Sequence, residues 1–223
     1  MKFAALILSV LSLAGAVFVY RHFEKRLDIA ADVNSELSLK IATAEKLIPQ
    51  SVRLIKIADE LYKAGRGKLT PPQCAEMARL IVLYSELYGD IGITPDKIFA
   101  IAERESGFDP KAVSKAKCYG IMQLHPGTFN QHSGDVGYGK FTKELALNPV
   151  INLHVALEHL VFLKLYWLGE GIADDLPVYT SFFWGVKITQ ELFASKKRAN
   201  LPSLEYAKGI IVLAAKWRER GVQ

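Results

Sequence analysis

The stretch Ile101–Pro110, IAERESGFDP, places Glu103, Glu105 and Asp109 close together at what reads as the end of a helix. Residues two apart lie about 200° round a helix, so Glu103 and Glu105 cannot both face one pocket. The apolar side runs through Ile98, Ile101 and Ala102, and Glu105 follows Ile101 by four positions on that inward side; Glu103 is expected in solvent beside Arg104. A carboxyl walled by apolar neighbours loses hydration when it ionises, which raises its pKa from about 4.3 toward roughly 6–7, the range a general acid requires. Taken alone, the stretch is also accounted for by a glutamate that caps or pairs at a helix end. Asp109, next to Pro110, reads as a turn residue.

The elements that must position this carboxyl can be read upstream. Thr70-Pro71 has the form of a cap followed by a first-turn proline, and predicts a helix from about Pro72 to Tyr88 closed by Gly89 and Gly92. Thr94-Pro95-Asp96 opens the next helix in the same way, and Gly107 and Pro110 end it, leaving Glu105 in its last turn. Across 223 residues, half of them hydrophobic, such 3.6-residue periodicity recurs and alternating β-branched runs are scarce. The expected fold is all-α, with at most a small β-hairpin.

Composition narrows the function classes. A net charge of +5 with basic residues at Lys196, Lys197, Arg198 and at Lys216, Arg218, Arg220, without interleaved aromatics, reads as a solvated basic surface and not as a nucleic-acid motif. Cys74 and Cys118 match no metal spacing, so no metal or cofactor is expected; they read as small core thiols or, in an oxidising compartment, as a pair.

Residues Phe3–Tyr20 form an uncharged apolar run between Lys2 and Arg21, long enough at about 1.5 Å per residue to cross a bilayer core of about 30 Å. We read residues 1–22 as a transmembrane anchor or uncleaved signal, 23–69 as a helical stalk or linker, and 70–223 as the main domain. Arg21, Lys25 and Arg26 outnumber Lys2 plus the terminal amine, a bias that would hold the body in the cytoplasm. In the stalk, Leu37, Ile41, Ala44, Ile48, Ile55, Ala58 and Tyr62 trace a stripe expected to pack against the main domain, with a kink or split at Pro49.

A longer pattern follows the acid. After Glu105, Ser106 and Phe108 (E-S-x-F) come Ser114, then Gly120-Ile121-Met122-Gln123 (G-[LI]-M-Q), then Pro126 and Thr128 (P-x-T); upstream lies LYGDIGITPDKIFAIAERES. In order and spacing this resembles the lytic transglycosylase family of the soluble lytic type, related to goose-type lysozymes, over about Pro72 to Lys216. The resemblance implies a lysozyme-like helical domain that cleaves the β-1,4 bond between N-acetylmuramic acid and N-acetylglucosamine in peptidoglycan glycan strands and leaves a 1,6-anhydro end. Glu105 would be the single acid and base, whereas ordinary glycosidases need two carboxyl groups. Ser114 would bind the muramyl N-acetyl region, Met122 and Gln123 would line the sugar groove, and Asn152 would stand at a motif asparagine of the next core helix, which opens at Asn148-Pro149.

The chain departs from the family pattern at A-Y-N-x-G, whose tyrosine reaches the glutamate. Here the segment is Ser181-Phe182-Phe183-Trp184-Gly185. Tyr179, three residues earlier on nearly the same face, is one substitute; Phe182 as an apolar wall is the other. Lys117 and Cys118 stand where small residues are usual, with Lys117 near the groove or in water, and Tyr206 in LPSLEYAKGI is a candidate for the groove or for the core. The expected setting is a membrane-anchored enzyme facing the periplasm or cell wall, or a virion-associated one, with envelope-spanning or virion assembly partners. A lysozyme-type hydrolase and a structural or glycan-holding envelope component are the alternatives.

Overall fold

The computed structural model describes residues 28, 32, 35–43, 48–194 and 202–223. The chain divides into two compact units, Met1–Ser51 and Val52–Gln223. In the first, residues 35–43 and 48–51 are helical, through Pro49, and Leu37, Ile41 and Ile48 are exposed. The apolar run 3–20 lies outside the described residues, as do Ala44 of the stripe and Lys196, Lys197 and Arg198. Among the described residues no helix is long and apolar enough to cross a membrane.

The second unit opens with α1, residues 52–65, so the last part of the segment read as stalk belongs to the same compact unit as the main domain. Its inward face corrects the predicted stripe: Ile57 and Leu61 are buried, with Leu54 and Ala58 packed beside them, while Ile55 and Tyr62 face outward. Leu54/Ile55, Ile57/Ala58 and Leu61/Tyr62 put apolar residues on two faces about 100° apart, and the packing takes the earlier residue of each pair.

α2, Pro71–Tyr88, is held at its start by a capping box in which the Thr70 hydroxyl accepts from Gln73 N–H and the Gln73 side chain accepts from Thr70 N–H. Such caps stabilise by about 1 kcal/mol. Cys74, Met77, Ala78, Ile81 and Val82 form its buried face. A 3₁₀ turn, Gly89–Ile91, leads to α3, Pro95–Ser106, which carries Glu105. α3 stops at Gly107, whose φ of 58° turns the chain so that Phe108 N–H reaches back to Ala102 C=O, a left-handed position where a side chain would strain the chain.

Between α3 and α4 (Pro126–His132) the chain turns through a loop with two isolated antiparallel bridges, Val113 to Tyr119 and Tyr119 to Leu124. No strand occurs among the described residues. After the short α5 (Lys143–Leu147), the central helix α6, Pro149–Gly169, is buried around most of its girth, from Leu153 to Trp167. α7 (Asp175–Trp184), α8 (Val186–Ala194) and α9 (Pro202–Glu219) complete the unit.

α9 packs along α3. The Arg218 guanidinium meets the buried Asp96 carboxylate at 2.6 Å, and the Trp217 ring sits 4.9 Å from Phe99. Arg220 pairs with Glu60 at 2.6 Å. Two of the three basic residues of the carboxyl-terminal cluster therefore make intramolecular pairs, while all three stay exposed on the basic surface the sequence implied. Cys74 is buried and Cys118 partly so; both are free thiols.

Candidate active site

Glu105 stands on the last turn of α3, at the wall of a groove of about 1080 Å³ bordered by the α3 end, the 114–125 loop, α6, the α7 end and the start of α9. The helix presents it there because Ile98, Ile101 and Ala102 bury the same side. Loss of hydration pushes the carboxyl up to about 7, against the lowering effects of a Tyr206 hydrogen bond and of the Arg104 charge. Glu105 is the sole acid lining the groove among the described residues. Glu103 is exposed, but it is not simply hydrated: Trp217 Nε1–H donates to it at 2.7 Å. Asp109 holds a turn, accepting from Lys111 N–H and pairing with Lys68 at 2.8 Å, which keeps its carboxyl below the usual range.

Tyr206, on α9, donates its phenolic hydrogen to Glu105 Oε1. Its ring stacks on Phe183 with centroids 4.6 Å apart, and burial beside the Glu105 charge raises the phenol well above its ordinary pKa. It therefore stays a donor. Tyr179 does not take this place: it is 4% exposed, does not line the groove, and borders a separate small pocket with Lys164 and Asp175. Phe182 lines the groove as an apolar wall.

The loop beside the acid is fixed by buried polar contacts. Ser106 Oγ–H donates to Ile121 C=O at 2.7 Å, tying the end of α3 to the G-I-M-Q turn. Asn152, fully buried on α6, accepts from Met122 N–H at 2.8 Å and donates to the carbonyls of Tyr119 and Ala146 at 2.9 Å each. Gly120, at φ 78°, has no room for a side chain, since a Cβ would lie 2.4 Å from Ala146 C=O. Met122 is thereby held with its side chain 0% exposed in the core, and it does not line the groove as the sequence pattern implied.

Gln123 and Ser114 do line it. Gln123 Nε2 is already used by Ala112 C=O at 3.1 Å and Gly120 C=O at 2.9 Å, so its amide oxygen is the part left for a ligand. Ser114 Oγ accepts from Cys118 N–H at 3.0 Å and its hydroxyl also meets the Cys118 thiol. Cys118 borders the groove as a thiol whose pKa burial raises, while Lys117 is exposed and outside it.

The sequence reading missed several groove residues: Arg104, His159, Phe162, Phe183 and Trp184. His159 and Phe162 fall one turn apart on α6, seven and ten residues after Asn152, a periodic signal that was present but reads equally as core. The helices thus bring one desolvated carboxyl and one phenol donor together in a single groove.

The family described as Transglycosylase SLT domain matches residues 88–199, and the chain belongs to that family. Among solved structures it is similar to an inactive glutamate-to-glutamine mutant of the lytic transglycosylase Slt of Pseudomonas aeruginosa, at 18% identity and a TM-score of 0.53, covering 64% of this chain and 24% of that one. It also matches the 70 kDa soluble lytic transglycosylase of Escherichia coli at 18% identity and a TM-score of 0.48, covering 73% of this chain and 32% of that one. The chain thus spans about a quarter to a third of the length of these two proteins. No curated protein matches it.

Proposed function

We propose that the protein is a peptidoglycan lytic transglycosylase with Glu105 as its single acid and base. The observation that carries this reading is Glu105 itself, raised to about 7 in a groove that no other carboxylate lines among the described residues. A two-carboxylate glycosidase would need a second acid within roughly 5–10 Å.

In the proposed reaction protonated Glu105 gives its proton to the glycosidic oxygen as the bond from muramyl C1 breaks. The resulting carboxylate takes the proton of the muramyl 6-hydroxyl, and that oxygen closes on C1. One proton has moved from O6 to the leaving oxygen, no water is consumed, and the acid is restored. Tyr206 steadies the carboxylate phase, Ser114 and the Gln123 amide oxygen offer contacts to the sugars, and Phe182 keeps the wall dry.

Family membership supports the substrate class, and the fold shared with the lytic transglycosylase Slt of Pseudomonas aeruginosa is in keeping with it. We further propose that residues 3–20 tether the enzyme to a membrane, with the domain at the cell wall or carried by a virion. Mass spectrometry of muropeptides released from purified peptidoglycan tests the chemistry. Anhydromuramyl ends that vanish in Glu105→Gln are expected; reducing ends would replace the reading by hydrolysis, and no products beside an active control would refute catalysis.

A further inference from the structure

Away from the carboxyl and phenol, the groove holds a second polar device. His159 on α6 and His132 on α4 meet through Nδ1 and Nε2 at 3.0 Å. Two ring nitrogens at that separation share one proton, one donating and the other accepting. The other nitrogen of His132, Nδ1, lies 3.9 Å from an Asp135 carboxylate oxygen. A negative oxygen favours a proton on the facing nitrogen, so His132 carries its hydrogen on Nδ1 and accepts through Nε2. His159 then donates through Nδ1, and its Nε2 is a bare acceptor.

Both rings are neutral at physiological pH. Burial lowers His132 against the opposing charges of Asp135 and Glu158, and burial with the neighbouring His132 pushes His159 down to about 3. The acceptor therefore persists across the range in which Glu105 titrates. His159 lines the groove. Among the described residues no hydrogen bond engages its Nε2, and the one fully buried side-chain polar atom without a partner is Thr94 Oγ1, so Nε2 keeps some exposure, and the space the residue borders is the groove. The ring is held between Phe162, nearly parallel at 6.3 Å, and Phe182 at 5.6 Å.

We propose that His159, oriented by His132, is a substrate-binding residue that accepts a hydroxyl or acetamido N–H of the glycan through Nε2. The inference rests on the groove being a glycan site. Arg104 supplies a donor there; His159 supplies an acceptor whose direction is fixed by a buried neighbour, which selects for a donor on the sugar at one point of the groove.

The test uses the full-length Glu105→Gln protein in detergent, with ¹⁵N-histidine and ¹⁵N-tryptophan labels, titrated with N-acetylglucosamine tetramer and separately with cellotetraose, which has a hydroxyl in place of each acetamido group. The expected result is an unprotonated His159 Nε2 signal in the free protein that moves on adding the tetramer, together with the Trp184 indole at the groove edge. Movement with the tetramer alone identifies the acetamido N–H as donor, and movement with both sugars identifies a hydroxyl. His159→Phe, which keeps an aromatic ring between Phe162 and Phe182, should weaken tetramer binding about tenfold, the loss of one hydrogen bond. A protonated Nε2 in the free protein, or a tetramer that shifts Trp184 and leaves Nε2 unmoved, overturns the inference with the glycan groove intact. No shift anywhere in the groove overturns both.

Discussion

Replacing Tyr206 by phenylalanine isolates the bond between α9 and the acid. The ring keeps its stacking on Phe183, and only the donor to Glu105 Oε1 is removed. A donor to a carboxyl favours the charged form, so Tyr206 holds the Glu105 pKa below what burial alone would give, and the substitution must raise it from about 7. Hydrogen bonds to charged groups stabilise by about 1.5–3 kcal/mol and neutral ones by about 0.5–1.5, a difference of about 1–1.5 kcal/mol between the two protonation states. At about 1.4 kcal/mol per pH unit the shift is close to one unit upward. Protonated Glu105 starts the reaction, so kcat/KM for muropeptide release should fall above about pH 7 in the wild type and above about pH 8 in Tyr206→Phe. Stopped assays from pH 5 to 9 on both proteins, with melting curves to establish folding, provide the comparison. An alkaline limb that stays in place or moves to lower pH in a folded variant would refute the reasoning, because the phenol would then not act on the carboxyl.

Three further outcomes follow from the same geometry. Glu105 is raised from an ordinary 4.5 to about 7, so the folded state binds the extra proton and the residue destabilises the fold progressively as pH climbs through that window. Glu105→Gln should therefore melt higher than wild type at pH 8, by up to about 3 kcal/mol, with the gain fading below about pH 5; equal differences at both pH values in calorimetry would contradict this. Met122→Ala should cost about 2–5 kcal/mol in urea unfolding through an internal cavity, with KM moving little in the folded fraction, whereas a KM effect without lost stability would return Met122 to the groove. Tyr179→Phe should leave the rate of product formation unchanged, since Tyr179 borders a separate pocket and not the groove; a drop of tenfold or more in a stable variant would refute that placement.

What the sequence made legible was local chemistry. Thr94-Pro95 and Gly107 bound α3 within a residue of the expectation, because a first-turn proline and a left-handed glycine act over one helical turn, although the Thr94 hydroxyl makes no cap bond. The raised carboxyl was also readable, since Glu105 follows Ile101 by one turn on an inward face. The phenol was not. Tyr206 lies 101 residues beyond Glu105, and only the docking of α9 on α3 brings them together, so a search within the Phe182 segment pointed to Tyr179. Met122 failed as a groove residue for a related reason: the motif fixes the turn, but Asn152 on another helix sets which way the turn faces. The stripe on α1 shows the limit of periodicity, where two apolar faces compete and tertiary packing selects one.

The order in which the polypeptide is made gives α9 another significance. The glutamate is in place once α3 and the following turn exist, yet the phenol arrives only with α9, about a hundred residues later in the chain, clamped by Arg218 on Asp96. A chain interrupted before Pro202 should leave Glu105 hydrated and titrating near an ordinary glutamate, visible by ¹³C-carboxyl NMR. On the proposed reading α9 would then act as a completion check: a polypeptide lacking it would carry the glutamate but not its raised pKa, and would leave the glycan uncut.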